Sequence, residues 1–106
     1  MIAFILSLLM ALATPDGRVV EIHAKRFSFT PDSVTLKHGE RVTIRLIGDD
    51  RAHGLLVKPL GVDLDASPNA PREITIVPAQ PATYPAICDH YCGMGHGGMK
   101  MTFIVE

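Results

Sequence analysis

The residue types best suited to binding a metal gather near the end of this 106-residue chain, in the stretch CDHYCGMGHGGM from Cys88 to Met99. The stretch contains both cysteines of the protein, two of its five histidines and two of its five methionines. Thiolate and imidazole are soft to borderline ligands and the methionine thioether is a weak soft one, so together they favour copper over hard, oxygen-preferring ions. Zinc sites favour four strong Cys or His ligands, and methionine is not among the usual zinc ligands. The stretch therefore predicts a copper site.

A single copper ion would use most of these ligands. Two histidines, one cysteine and a distant axial methionine form the blue-copper pattern. Cys92, His96 and Met99 would supply three of the four from one loop. The other histidine must come from elsewhere, and His53 in the segment DDRAHGLL, after a predicted strand, is the candidate. Asp50, three residues before it, is most simply a turn residue, with a hydrogen bond that orients His53 as the alternative.

Cys88 is one ligand more than a single blue-copper ion needs. In an exported protein two cysteines most often form a disulfide, and this alternative stays open for the metal-free protein. A thiolate sulfur also has several lone pairs and can bridge two metals. Cys88 and Cys92 would then hold a pair of copper ions close together, with one histidine on each ion.

The spacing C-x3-C-x3-H-x2-M, preceded by a distant histidine, resembles the binuclear copper (CuA) domain of cytochrome c oxidase subunit II and of nitrous oxide reductase. The segment RFSFTPDSVTLKHGERVTI is similar to the early strands of cupredoxins, and Ala82-Thr83-Tyr84 leads into Cys88 in a similar way. The resemblance implies two copper ions per chain and a Greek-key β-sandwich or barrel. It also implies one-electron transfer, in which the chain by itself is a carrier and not an enzyme.

The resemblance assigns the ligands by position. It implies bridging thiolates from Cys88 and Cys92, terminal imidazoles from His53 and His96, a weak axial thioether from Met99, and the backbone carbonyl of His90. His90 stands where subunit II usually has a glutamate that meets a magnesium ion, and imidazole is a poor substitute for a carboxylate there. The chain also has no Trp, whereas the family receives electrons from cytochrome c at an aromatic patch containing one. Both differences concern the partner complex and leave the copper ligands unchanged.

The chain begins with the apolar stretch MIAFILSLLMALA, which ends in Ala11-Leu12-Ala13. A membrane span takes about 20 apolar residues, and a short apolar core before an A-x-A pattern is typical of a secretory signal peptide. We therefore interpret residues 1–13 as a signal peptide, with a short membrane anchor as the alternative, and residues 14–106 as the cupredoxin domain. This interpretation predicts an exported, periplasmic or otherwise extracytoplasmic protein with no membrane span in its mature form.

Apolar and polar residues alternate along most of the chain after Arg18. Alternation with a period of two is the pattern of a strand with one buried face. The predicted strands lie near Val20, Phe27, Val34, Val42, Ile74, Tyr84 and Lys100. Six of the eight prolines fall between Pro59 and Pro85, which argues against a long helix, and residues 61–72 are interpreted as a loop or a short helix. Many short strands between turns predict an all-β sandwich or barrel.

The charges are nearly balanced, with ten Lys and Arg against eleven Asp and Glu and no run of one sign. The sequence therefore offers no basic patch for nucleic acid and no acidic tail. The predicted partner is a redox protein such as a cytochrome or an oxidase subunit, and the chain is predicted to be a monomer. Two alternatives to the binuclear electron carrier remain. One is a copper trafficking or storage protein that delivers copper to an oxidase, and the other is a mononuclear cupredoxin in which Cys88 is a bystander.

Overall fold

A computed structural model describes residues 17–88 and 99–106 of the chain. These residues form nine β-strands and one short 3-10 turn, Lys58–Leu60. The strands are β1 Arg18–Lys25, β2 Ser28–Thr30, β3 Ser33–Leu36, β4 Val42–Gly48, β5 His53–Val57, β6 Val62–Ala66, β7 Arg72–Ile76, β8 Ala82–Ile87 and β9 Lys100–Val105. Within the described ranges no helix is long and apolar enough to cross a membrane. The predicted signal peptide, residues 1–13, lies outside them.

The strands form two sheets, with the order β2-β1-β4-β7 in the first and β3-β9-β8-β5-β6 in the second. The chain passes repeatedly from one sheet to the other, so neighbours in sequence often lie in opposite layers. β1 pairs with β4 and β3 with β9 in parallel, and the other pairs are antiparallel. The edge strands β6 and β7 contact each other and close one side of the sandwich. The predicted all-β, Greek-key sandwich is confirmed.

The core lies between the two sheets and follows the alternation of the strands. In β4, Val42, Ile44 and Leu46 are buried while the residues between them are partly exposed. Phe103 on β9 is fully buried, as is Ile22 on β1 in the opposite sheet. Burying such side chains contributes roughly 1.5–3 kcal/mol each. This core supplies the rigid frame to which the loops at either end are attached.

The interpretation of residues 61–72 as a loop or short helix is wrong, because this segment contains strand β6. Residues 62–66 alternate strictly between buried and exposed, so Asp63 and Asp65 lie on the outer face of a strand and do not form a turn. Pro59 belongs to the 3-10 turn before β6, and Pro68 follows it, so neither interrupts the ladder. Pro59 and Pro68 thus indicate the turns before and after β6, and they do not argue against the strand between them.

Candidate metal centre

Three of the six predicted ligands lie among the described residues, and the fold brings them to one end of the second sheet. His53 is the first residue of β5, Cys88 directly follows β8 and Met99 directly precedes β9. Both β5 and β9 run antiparallel to β8. Ile87, at the end of β8, pairs with Lys100 at the start of β9 and with Leu56 in β5, so the start of β5 lies beyond the last residue of β8. The backbone N–H of Cys88 donates a hydrogen bond of 3.4 Å to the carbonyl of Met99. We call this end of the sandwich, defined by His53, Cys88 and Met99, the ligand end.

The other three predicted ligands, His90, Cys92 and His96, fall in residues 89–98, which lie outside the described residues. Their roles remain predictions. Within residues 17–88 and 99–106, no three His, Cys, Asp or Glu side chains are grouped so that they would hold a metal ion.

The imidazole of His53 is fully buried and has a hydrogen-bond partner on one side only. Its Nε2 lies 2.6 Å from Oδ1 of Asp50, and its buried Nδ1 has no partner among the described residues. Leaving a buried polar atom unsatisfied costs about 1–3 kcal/mol, and such atoms call for an explanation. Because Nε2 carries the proton that it donates to Asp50, Nδ1 presents a lone pair, as a metal-binding imidazole does. The donor set of His53, Cys88 and Met99 thus fits a copper ion, and Asp50 makes the hydrogen bond to His53 that the sequence offered as an alternative.

The carboxylate of Asp50 is held on both of its oxygens. Burial raises the pKa of Asp50, but the hydrogen bonds from the His53 ring and from the backbone N–H of Arg26 outweigh it and hold this pKa below its ordinary value. The ionised carboxylate can only accept hydrogen bonds, which assigns the donated proton to His53. Oδ2 accepts from the N–H of Arg26 at 3.1 Å, with Nε of the same arginine 3.7 Å away. Asp50 is therefore a rigid support for the His53 ring.

Gly48 allows the segments around His53 to approach one another closely. A Cβ atom at this position would lie 2.4 Å from the carbonyl oxygen of Arg51 and 2.9 Å from that of Ala66. Ala66 is the residue that pairs with His53 in the β5–β6 ladder. The end of β4, the turn of residues 49–52 and the end of β6 can meet beside the imidazole only because Gly48 has no side chain.

Replacing Asp50 with asparagine is expected to weaken copper binding about 10- to 100-fold, the usual effect of losing the outer partner of a metal-binding histidine. An asparagine can offer its NH2 group to Nε2, which lets the proton move to Nδ1 and blocks the lone pair meant for the metal. Competition with a copper chelator measures the change. Asp63→Asn, on the exposed face of β6, is the matched control and should bind copper as the unaltered protein does. Equal affinities for both variants would show that Asp50 does not set the protonation of His53.

Cys88 is engaged in a disulfide and is 5% exposed. The chain has one other cysteine, Cys92, which lies outside the described residues. This is the disulfide alternative that the sequence left open for the metal-free protein. Because a metal binds the thiolate form of cysteine, reduction of Cys88 has to come before its use as a ligand.

Sequence reasoning missed two residues that hold the turn beneath His53. The Nδ1 atom of His23, on β1, lies 2.8 Å from Oδ1 of Asp49. Arg26, in the turn after β1, supplies the backbone N–H that binds Asp50. Both contacts depend on the parallel pairing of β1 with β4, which aligns His23 with Ile47. The adjacent Asp49 and Asp50 were the local sign, but no local pattern shows which partners they meet.

A β-sandwich of this topology, with a buried histidine, cysteine and methionine brought to one end, is a cupredoxin. The chain belongs to the family of cupredoxin-like domains, whose family model matches residues 1–105.

Three curated relatives are similar over most of this chain. Cytochrome c oxidase subunit 2 of Thermus thermophilus is 25% identical over 92 residues, which cover 87% of this chain and 68% of that protein. A second subunit 2 sequence from the same species is covered over 55% of its length. Nitrous-oxide reductase of Stutzerimonas stutzeri is 28% identical over 97 residues, or 86% of this chain and 15% of the reductase. The chain therefore spans between a small part and about two thirds of these relatives.

Solved structures share the fold. The periplasmic domain of subunit II of cytochrome oxidase (CoxB) from Bradyrhizobium japonicum has a TM-score of 0.76 at 16% identity and covers 83% of each chain. Auracyanin A, a blue copper protein from Chloroflexus aurantiacus, has a TM-score of 0.66 at 18% identity and covers 85% of this chain and 100% of its own. The fold at hand thus occurs both in an oxidase subunit and in a blue copper protein.

Proposed function

We propose that this protein transfers single electrons through a binuclear copper site at the ligand end, in a redox chain outside the cytoplasm. The observation that carries the proposal is Nδ1 of His53, which is buried without a partner among the described residues while Asp50 holds the opposite side of the ring. Cys88 and Met99 lie buried at the same end. The similarity to an oxidase subunit 2 and to nitrous-oxide reductase supports the same class of site.

The proposed ligand set combines described residues with residues of the loop that follows β8. The residues that would hold the copper pair are His53 through Nδ1, Cys88 and Cys92 through their thiolates, His96 through its imidazole, Met99 through its thioether and His90 through its backbone carbonyl. The second cysteine is what distinguishes this set from that of a mononuclear site, which uses one thiolate.

When bound, the copper pair supplies a one-electron redox couple. The chain supplies a stiff and water-poor setting, because His53 and Met99 are attached to strands on both sides of β8 and both side chains are buried. When the ligands are held in place before an electron arrives, their positions need to change little during the electron transfer. The chain therefore acts as a carrier, or as a small subunit of an oxidoreductase complex, and not as an enzyme by itself.

The proposed location is the periplasm or another extracytoplasmic space, reached through the signal peptide in residues 1–13. The disulfide at Cys88 suits an oxidising compartment, and the solved CoxB relative is a periplasmic domain. The proposed partner is a redox protein such as a cytochrome or an oxidase subunit, which a monomeric carrier would meet transiently.

Loading the reduced protein with copper tests the proposal. We expect two copper ions per chain, a purple colour, and an electron paramagnetic resonance spectrum in which one electron is shared by two copper nuclei. One copper per chain and a blue colour would replace the binuclear site with a mononuclear one. Rapid loss of copper to a modest excess of a copper(I) chelator would indicate a trafficking protein instead of an electron carrier.

A further inference from the structure

The turn between β4 and β5, residues 49–52, carries the support of the ligand His53 and is tied to β1 and the turn after it. The backbone N–H of Asp49 donates a hydrogen bond of 2.8 Å to the carbonyl of Ala24. The N–H of Arg26 donates to Asp50 at 3.1 Å. A third link joins the side chains of His23 on β1 and Asp49 on the turn. The imidazole of His23 can change its charge near neutral pH.

We propose that His23 is a positioning residue for this turn, that its hold on Asp49 strengthens when its imidazole is protonated, and that it thereby makes metal retention at His53 depend on external pH. The inference rests on the proposed function, because it takes His53 to be a metal ligand. It adds a regulation of that site by a residue outside the ligand set.

The geometry of His23 favours the protonated form. Its Nδ1 lies 2.8 Å from Oδ1 of Asp49 and its Nε2 lies 3.4 Å from Oε1 of Glu21. A neutral imidazole carries one N–H and can donate to only one of these carboxylates, whereas the protonated ring donates to both. Because the side chain is 41% exposed, protons from solvent reach it directly. Protonation thus adds a donor and a charge to a contact that already exists.

The surroundings of His23 are acidic or uncharged on the sides that touch it. In the first sheet it is aligned with Thr30 of β2 and Ile47 of β4, both uncharged. The charged groups that share its face of the sheet are Glu21 and Lys25 on β1 and Arg45 on β4, and Asp49 on the turn contacts it directly; Nε of Arg45 lies 3.6 Å from Oε2 of Glu21. The hydrogen bond to Asp49, opposed in part by burial and helped by Glu21, raises the pKa of His23 above its ordinary value of 6.5.

The sign of the pH effect follows from this direction. A group whose pKa is raised on folding stabilises the folded form fully below its unfolded pKa, here 6.5, and loses that contribution as the pH rises through the raised pKa. The turn is therefore held more firmly under mildly acidic than under alkaline conditions. Metal held at His53 should follow the same direction.

Hydrogen exchange of the Asp49 amide in the reduced, metal-free protein tests the hold directly, because this amide is the backbone link of the turn to β1. Between about pH 6 and pH 8.5, its protection factor is expected to fall about 1.5- to 5-fold, which is the range for an exposed ion pair. His23→Gln, which keeps a donor but cannot be protonated, should remove this fall. His38→Gln is the matched control, because His38 is also exposed but binds the carbonyl of Glu106 at the opposite end of the sandwich.

Copper release to a copper(I) chelator, measured over the same pH range, tests the consequence for the site. For each protein the quantity compared is the ratio of the release rate at about pH 8.5 to the rate at about pH 6. This ratio should be about 1.5- to 5-fold larger for the unaltered protein and for His38→Gln than for His23→Gln. An Asp49 protection factor with the same pH dependence in all three proteins would overturn the proposal. If none of the proteins takes up copper, the proposed function fails, and the amide measurement still decides whether His23 positions the turn.

Discussion

Replacing Cys88 with serine is expected to abolish the electron paramagnetic resonance signal of an electron shared by two copper nuclei and to reduce the copper content from two ions per chain to one or none. A serine hydroxyl is a hard donor that stays protonated at neutral pH, so it replaces neither the softness nor the negative charge of the bridging thiolate. Serine is close to cysteine in size, and the backbone N–H that binds the carbonyl of Met99 is kept. The effect should therefore fall on the metal and not on the fold.

Copper analysis and electron paramagnetic resonance on the reduced, reloaded variant measure this outcome. His90→Gln is the matched control, because the proposal gives His90 only a backbone carbonyl, which any side chain leaves in place. This control should retain both ions and the shared signal. Survival of the shared signal in Cys88→Ser would contradict the bridging role, and loss of one ion from His90→Gln would make the His90 imidazole a ligand.

Replacing Phe103 with alanine is expected to lower the free energy of unfolding by about 3–5 kcal/mol, a large part of the 5–15 kcal/mol typical of a small domain. Phe103 is fully buried and, among residues 17–88 and 99–106, has the largest of the fully buried side chains. It lies in β9 between Val34 of β3 and Tyr84 of β8, so its loss leaves a cavity where three strands meet. Because β9 begins directly after Met99, loosening it should also weaken metal retention.

Urea unfolding of the metal-free protein measures the change without the contribution of bound copper. Phe27→Ala is the matched control, since it makes the same chemical change at a side chain that is 49% exposed. It should cost less than about 1 kcal/mol. A similar loss for the two variants would mean that the space around Phe103 collapses after truncation or that the core is not centred there.

Strands with clean alternation could be predicted from the sequence, and two strands could not. β4 and β9 show period-two patterns that depend only on which face is buried. β5, with the sequence HGLLV, is buried at four of five positions and so shows no alternation. β6 does alternate, but it stands between prolines and carries two aspartates that also suit a turn. The alternation that predicts a strand is therefore hidden in two situations: when the strand is buried on both faces, as in β5, and when turn-forming residues flank it, as in β6.

The candidate site likewise has features that the sequence predicted and features that depend on the pairing of distant strands. The types and spacing of Cys88, Cys92, His96 and Met99 predicted a copper loop, because soft-ligand chemistry is a property of the side chains themselves. The position of His53 was a conjecture from the sequence. Its place beside the loop depends on the antiparallel pairing of β5 with β8, in which Leu56 lies opposite Ile87. Pairing between distant strands is decided by the packing of the whole core.

By itself the sequence determined the all-β class and the chemical nature of the ligands, since both follow from local composition and periodicity. Only the tertiary structure decided which nitrogen of His53 is available to a metal. That choice depends on Asp50, which the backbone N–H of Arg26 holds in place. These contacts join β1 to the turn before β5 and form only when the parallel pairing of β1 with β4 sets their register.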